Sequence, residues 1–380
     1  MAYNILIADD MLLNRKLIRR ALEQKISNVN FLEAEDGHKA LEYIYKGAVD
    51  IIILDLIMPK KNGFEVIKAV KSQEEYRDIP IIVNSAMDEI DTIKEALELG
   101  ATDYFTKPLT MQQMQILLPV KVKNALKAYQ QKRLLLEMNQ RMKEQLKVAT
   151  ALQSILIDES KSLPDVEMIG MYIPSSELSG DFYECIQIED KVWLFIADVS
   201  GHGVAAAMIS SMMKVMFKNL VSQYLTPAEV LREMNSTFYN MTHGTYYITA
   251  FVGLIQDGVL TYSNGGHPYP IIVDSLNDKV YMLENNGFLV GIVDDYEYTM
   301  HRTKLDSGSY IIMYTDGLLE PEGAEDHVKT CDDLLAYIDE HKDMLKSDPR
   351  LLLDSIVKDF HKDISDKLKD DVALIIIRKK

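Results

Sequence analysis

Five short apolar runs divide the first 110 residues, and each stops on polar side chains. "YNILIADD" ends in two aspartates and leads into "NRKLIRRALEQ", and "NFLEAED" leads into "HKALEYIYKG". "VDIIILDLIMP" reaches Asp55, "IPIIVNSA" reaches Ser85 and "TDYFTKP" reaches Lys107. Strand-length apolar runs alternating with helical periodicity predict five β–α units, which bury their apolar faces as a parallel sheet covered on both sides. Gly47 and Gly100 stand where two of the helices should stop.

In a doubly wound sheet, ligands gather beyond the carboxyl ends of the strands. Those ends carry Asp9, Asp10, Asp55, Ser85 and Lys107. Three carboxylates on neighbouring strand ends repel one another, so a cation is expected among them, and an all-oxygen set favours Mg²⁺ or Mn²⁺. A lysine opposite would neutralise a phosphoryl group, and a carboxylate can accept one.

On these residues the segment from about Met1 to Met111 resembles a CheY-like receiver domain of two-component response regulators, and a receiver unit over 1–118 is expected. The resemblance implies a flavodoxin-like α/β fold with a parallel five-stranded sheet. It also implies Asp55 as phosphoacceptor, with Asp9, Asp10 and Asp55 holding Mg²⁺. Ser85 and Tyr104 would be the switch pair, Lys107 the phosphate partner and Pro108 a cis-proline, with a cognate histidine kinase as phosphodonor.

A polar helical connector is expected over 119–157. Ala128, Gln131, Leu135, Met138, Met142, Gln145, Ala149 and Leu152 alternate spacings of three and four. That is a heptad seam for a parallel coiled coil, weakened by its two glutamines and two alanines, and it predicts a homodimer through the linker. An amphipathic helix packed on its own domain is the alternative. Leu118 and Val122 fall out of phase, and Pro119 should kink or end the helix near Lys121.

Beyond residue 158, extended segments dominate, among them "MIGMYIP", "GDFYECIQI", "VWLFIADV", "TAFVGLIQ", "SYIIMYTDG" and "DVALIIIR". Two helical stretches interrupt them, one after "ADVSGHG" and one from about Cys331 to Lys369. Many strands with grouped helices predict an α+β sandwich of antiparallel sheets flanked by helices over 158–380.

Carboxylates again stand at strand ends: Asp181 in "SGDFYE", Asp198 in "ADVSGHG", Asp316 in "YTDGLLE", and Asp370 and Asp371 in "KDDVAL". A carboxylate beside a buried strand is costly unless paired or metal-bound, and few basic residues adjoin these. Oxygen ligation again favours Mg²⁺ or Mn²⁺. Two such ions about 3.5–4 Å apart can activate a water for phosphoryl displacement. His202, alone between two glycines, reads as a loop residue rather than a zinc ligand.

With "LQSILI", "TAFVGLI", "NGGHPYP", "LVGI" and "DDVALIIIR" in the same order, the stretch from about Lys147 to Arg378 resembles the SpoIIE/RsbU-type branch of the metal-dependent serine/threonine phosphatases, the PPM family. The resemblance implies Asp198 as the ligand bridging two Mn²⁺ or Mg²⁺, with the Val199 carbonyl nearby. Asp181 would complete one metal site, Asp316 and Asp370 the other, and Asp371 would stand behind them. The implied substrate is a phosphorylated anti-anti-sigma factor with a STAS domain, in a partner-switching circuit. The usual doubled glycine before the first aspartate is Ser179-Gly180 here, and "NGGHPYP" reads as a tight structural turn. "SGDFYE" is faintly like the "GGDEF" of diguanylate cyclases, which would supply neither "YTDG" nor "DDV".

Composition narrows the rest. A formal charge of −17, from 41 basic and 58 acidic residues in 380, argues against a nucleic-acid-binding output. Two distant cysteines, Cys185 and Cys331, fit a reducing cytoplasm, and no apolar run is long enough to cross a membrane. The competing function is a non-catalytic adaptor that sequesters a partner through a phosphatase-like fold. The retained acidic set favours catalysis.

Overall fold

In the computed structural model, residues 2–86, 90–223, 226–284, 287–319, 329–361 and 368–380 are described. The chain divides into two units, Met1–Met142 and Lys143–Lys380.

In the first unit the apolar runs become β1 (Tyr3–Ala8), β2 (Val29–Ala34), β3 (Ile51–Leu54), β4 (Ile81–Ser85) and β5 (Asp103–Thr106). They alternate with α1 (Leu12–Glu23), α2 (Gly37–Tyr45), α3 (Gly63–Lys71) and α4 (Ile90–Glu98). All strand pairs are parallel, in the order β2-β1-β3-β4-β5. Period-two alternation sends Leu6, Ile52 and Leu54 into one core and Ile5, Ile7 and Ile53 into another, so both faces are dry. Asn62 and Glu65 close a capping box on α3, and the Asp36 side chain caps α2.

A 37-residue helix, α5 (Leu118–Ser154), follows a π-helical turn at Gln113–Leu117 in which the Leu118 N–H donates to the Gln113 carbonyl. The expected break at Pro119 is thus a widened turn ahead of the proline, and the helix runs on past it. Pro119 stands in the first turn of the regular segment, where a missing N–H and a fixed φ are tolerated. Along the predicted seam, Leu135, Met138, Met142 and Leu152 are all exposed.

The second unit is a sandwich of two antiparallel sheets. One has the order β14-β11-β10-β9-β8 and the other β13-β12-β15-β16-β7-β6. In chain order the elements are β6 (Ser160–Ser162), β7 (Val166–Ile173), β8 (Phe182–Ile188), β9 (Lys191–Val199), α6 (Val204–Leu220), α7 (Pro227–Thr242), β10 (Ile248–Gln256), β11 (Val259–Gly265), β12 (Ile271–Asp274) and β13 (Lys279–Met282). Then come β14 (His301–Lys304), β15 (Tyr310–Tyr314), α8 (Cys331–His341), α9 (Asp343–Ser347), α10 (Pro349–Phe360) and β16 (Val372–Lys379).

Inward residues of both sheets, such as Tyr183, Leu194, Ile311 and Ile375, form the central core. Trp193 and Phe195 on the back of the first sheet are covered by Phe217 of α6 and Met234 of α7. Ile312 and Leu374 on the back of the second are covered by Leu334, Leu353 and Ile356. The stretch expected as one helical run after Cys331 is three helices. Thr330 opens α8 with a capping box, and Asp348 caps α10 with Pro349 in its first turn. Residues 362–367 of that stretch lie outside the described residues.

Candidate active sites

Parallel register places Ala8 level with both Ala34 and Leu54, so β1 and β3 end together. The Asp55 N–H donates to the Ala8 carbonyl at 2.8 Å. Asp9 and Asp55 are buried, and Asp10 is exposed beside them. The three each offer an oxygen within 4.8 Å of the others, the sole such trio of acidic, imidazole or thiol groups among the described residues.

Lys107 Nζ reaches across to both buried carboxylates, 2.7 Å from Asp9 Oδ2 and 2.5 Å from Asp55 Oδ2. Burial pushes the Asp55 carboxyl up despite the Lys107 ammonium. Burial disfavours the Lys107 charge too, but the two carboxylates outweigh it and hold its pKa up. Gly63 leaves room for the Asp55 backbone, since a Cβ there would stand 2.4 Å from the Asp55 carbonyl oxygen. Ser85 is buried at the end of β4, its carbonyl accepting from the Lys107 N–H at 2.8 Å. The Lys107–Pro108 bond is cis. Tyr104 is 38% exposed, and the Lys121 ammonium lies 5.8 Å from its ring centre and 4.6 Å from that of Phe105.

In the second unit, Asp198 stands in β9 opposite Thr249 of β10, and Asp181 immediately precedes β8. The register Phe182↔Ala197 brings these neighbours together. The Asp181 and Asp198 carboxyls lie close enough to act on one another, and the Asp316 and Asp370 charges act on Asp198. Burial and then Asp316 push Asp198 up to about 7. Burial, then the Asp198 charge, raises the fully buried Asp181 well above the carboxylate range.

Among the described residues, no ion pair reaches Asp181 or Asp198. No three of the four aspartates offer oxygens within 4.8 Å of one another. The set is spread more widely than a single ion's ligands. For Asp181 and Asp198, which no ion pair reaches, divalent cations fit as the counter-charge.

Behind the carboxylates lies a scaffold that the motifs alone do not disclose. Thr315 Oγ1 donates to Asp181 Oδ2 at 2.7 Å. Buried Asp371 accepts from the Ser175 N–H, the Ser175 hydroxyl and the Gly180 N–H, tying the loop before Asp181 to the start of β16. The Asp370 carboxylate accepts from the Asp371 N–H. A Cβ at Gly180 would stand 2.9 Å from the Val199 carbonyl oxygen, so the second position of Ser179-Gly180 is the one that needs glycine. In "SGHG", Gly201 and Gly203 have open space but positive φ, and His202 is exposed. "NGGHPYP" closes on itself: Asn264 Oδ1 accepts from the His267 N–H, and Asn264 Nδ2 donates to the His267 carbonyl.

A receiver fold with an acidic strand-end pocket, followed by this sandwich, defines a response regulator carrying a PPM-type metal-dependent serine/threonine phosphatase domain. The chain belongs to the SpoIIE family: the model described as stage II sporulation protein E matches residues 188–380, and that of the response regulator receiver domain matches 5–118.

The phosphoserine phosphatase RsbU of Bacillus subtilis is 28% identical over 263 residues, which is 67% of this chain and 75% of that one. The phosphoserine phosphatase RsbP of the same organism is 28% identical over 187 residues, 47% of this chain and 46% of its own. The chain therefore spans about half the length of RsbP. The SiaA-PP2C domain of Pseudomonas aeruginosa shares the fold, with a TM-score of 0.53 at 15% identity, over 64% of this chain and 99% of that one.

Proposed function

We propose that phosphorylation of Asp55 by a histidine kinase controls hydrolysis of phosphoserine or phosphothreonine on a protein substrate by the second unit. Asp9, Asp10 and Asp55 would hold Mg²⁺ in the receiver, Lys107 would meet the phosphoryl group, and Ser85 and Tyr104 would respond to it. In the phosphatase unit Asp198 would bridge two Mn²⁺ or Mg²⁺ with the Val199 carbonyl nearby, Asp181 completing one site and Asp316 with Asp370 the other. Such ions, when bound, supply an activated water and charge stabilisation for in-line displacement at phosphorus. Asp371 and Thr315 hold the ligand-bearing turns in place, and the "SGHG" loop leaves the approach open to a phosphoprotein.

The likeness to RsbU supports a phosphorylated STAS-domain anti-anti-sigma protein as substrate. The exposed apolar seam on α5 supports a homodimer through the linker. Among the described residues, no helix is long and apolar enough to cross a membrane.

The observation that carries the reading is that the β8–β9 register brings buried Asp181 beside half-buried Asp198, with no ion pair reaching either carboxylate among the described residues. It is tested by phosphate release from a phosphoserine STAS protein in Mn²⁺. Asp198→Ala and Asp316→Ala are expected to lose most activity, and activity surviving in both would refute it. The same assay with and without a phosphodonor, in wild type and Asp55→Ala, tests the control. Equal rates in all four conditions would remove it.

A further inference from the structure

The last two turns of α5 grip the loop that presents Asp181. Gln153 Nε2 donates to the Ser179 carbonyl at 2.6 Å, while its Oε1 accepts from the Ser179 N–H at 3.2 Å. One side-chain amide thus satisfies both backbone groups of a fully buried residue. One turn earlier, the Thr150 hydroxyl donates to the Glu177 carbonyl at 2.5 Å. Ser179 passes the constraint on, because its Oγ accepts from the Asp181 N–H at 3.1 Å. From the opposite side, Asp371 holds the Gly180 N–H at 2.9 Å.

The loop is therefore suspended between two anchors of different kinds. Asp371 belongs to the frame of the sandwich, whereas Gln153 and Thr150 belong to the helix that begins at Leu118. We infer that Gln153 is a positioning residue that seats Asp181 against Asp198, so that α5 regulates the phosphatase by setting metal affinity at the Asp181 side. The inference rests on the metal-dependent reading above and adds the route of its control. A shift of one helical residue along the axis, about 1.5 Å, exceeds what a bidentate amide contact tolerates. Releasing Ser179 would loosen Asp181 while leaving Asp316 and Asp370 to the other sheet.

The test uses the full-length protein. Mn²⁺ binding to metal-free protein is measured by calorimetry, and hydrolysis of p-nitrophenyl phosphate is followed against Mn²⁺ concentration. Gln153→Ala is expected to weaken binding at one site by about tenfold, the scale seen when a group orienting a metal ligand is lost. Excess Mn²⁺ should restore most of kcat, and the response to acetyl phosphate should shrink. Ser154→Ala, on the same turn with its hydroxyl on the Ala151 carbonyl, should match wild type.

Wild-type Mn²⁺ binding and metal dependence in Gln153→Ala would overturn the proposal. Should that variant fail to fold, Thr150→Val, which removes the Glu177 contact and a bond to the Leu146 carbonyl within its own helix, decides by the same measurements. A wild type that binds no Mn²⁺ and releases no phosphate would take down the metal reading and this proposal with it.

Discussion

Thr315 Oγ1 donates to Asp181 Oδ2 at 2.7 Å and accepts from the Ala373 N–H at 2.8 Å, so one hydroxyl joins a β15 turn, β16 and the most buried carboxylate of the site. The Thr315→Val variant keeps the shape and removes both bonds. It should lower phosphate release at limiting Mn²⁺ by about 10- to 100-fold, with a smaller loss at saturation. Unfolding should cost about 1–3 kcal/mol less, because the Ala373 N–H is left unpaired. A Mn²⁺ titration of the rate beside a melting curve checks both; equal dependence on Mn²⁺ in the variant would show that Asp181 needs no such tether.

Lys214 is buried against Glu184 at 2.9 Å, with Lys218 at 2.9 Å and Lys161 at 3.0 Å, and it also holds the Leu156 carbonyl. Burial alone would raise the Glu184 carboxyl, but Lys214 and its two companions outweigh it and hold it down at about 2. Lys214→Met should destabilise the second unit by about 3 kcal/mol, and the double variant with Glu184→Leu by less than the sum, because the first change leaves the buried Glu184 carboxylate to Lys218 and Lys161 alone. Denaturant melts of all four proteins give the coupling.

That depressed carboxyl sets one acid limit. The unfolded group ionises near its ordinary 4.5, so its stabilisation is complete above that pH and fades as the pH falls toward 2. The loss is roughly 2 kcal/mol once solvent screening is allowed for. Glu184→Gln should flatten the stability profile in that window and lower stability by about the same amount at every pH above 5.

His267 acts earlier in the titration. Fully buried, with Nδ1 2.8 Å from the Thr249 hydroxyl, its imidazole is pushed down to about 3 by burial. The unfolded chain binds a proton near 6.5 and the folded chain does not. Stability is therefore unaffected above 6.5 and falls by up to about 1.4 kcal/mol per pH unit below it. His267→Gln should reduce the slope between pH 6 and 5, where the Glu184 cluster is silent. An unaltered slope would mean that other groups set the acid limit.

The exposed seam on α5 makes the oligomer testable apart from the chemistry. Met138→Glu with Met142→Glu places like charges at two contact positions and should convert a dimer to monomer in sedimentation at micromolar concentration. A wild type that sediments as a monomer would remove the linker dimer.

Much of this architecture is legible in the sequence because the decisive signals are local. Asp9, Asp55, Ser85 and Lys107 each end their own apolar run, and parallel pairing then has to bring them to one edge of the sheet. Asp181, Asp198 and Asp316 are readable for the same reason. What escapes is long-range. Thr315 meets Asp181 across 134 positions, and Asp371 meets Gly180 across 191. Gln153 is legible only as a letter of "LQSILI" until it is seen holding Ser179. Pro119 has a local signal, but the widened turn ahead of it depends on how a helix can redistribute its carbonyls, which residue type does not specify.

The four aspartates fall in two pairs. Asp181 and Asp198 come from the β8–β9 edge of one sheet, while Asp316 and Asp370 flank β15 and β16 of the other. Cations shared between the pairs would act as rivets through the sandwich, so chemistry and cohesion become one property. Heat resistance of this half should climb with manganese, by about 2.7 kcal/mol at a hundred times the dissociation constant. Any strain that prises the layers apart would switch off hydrolysis before the fold itself gives way.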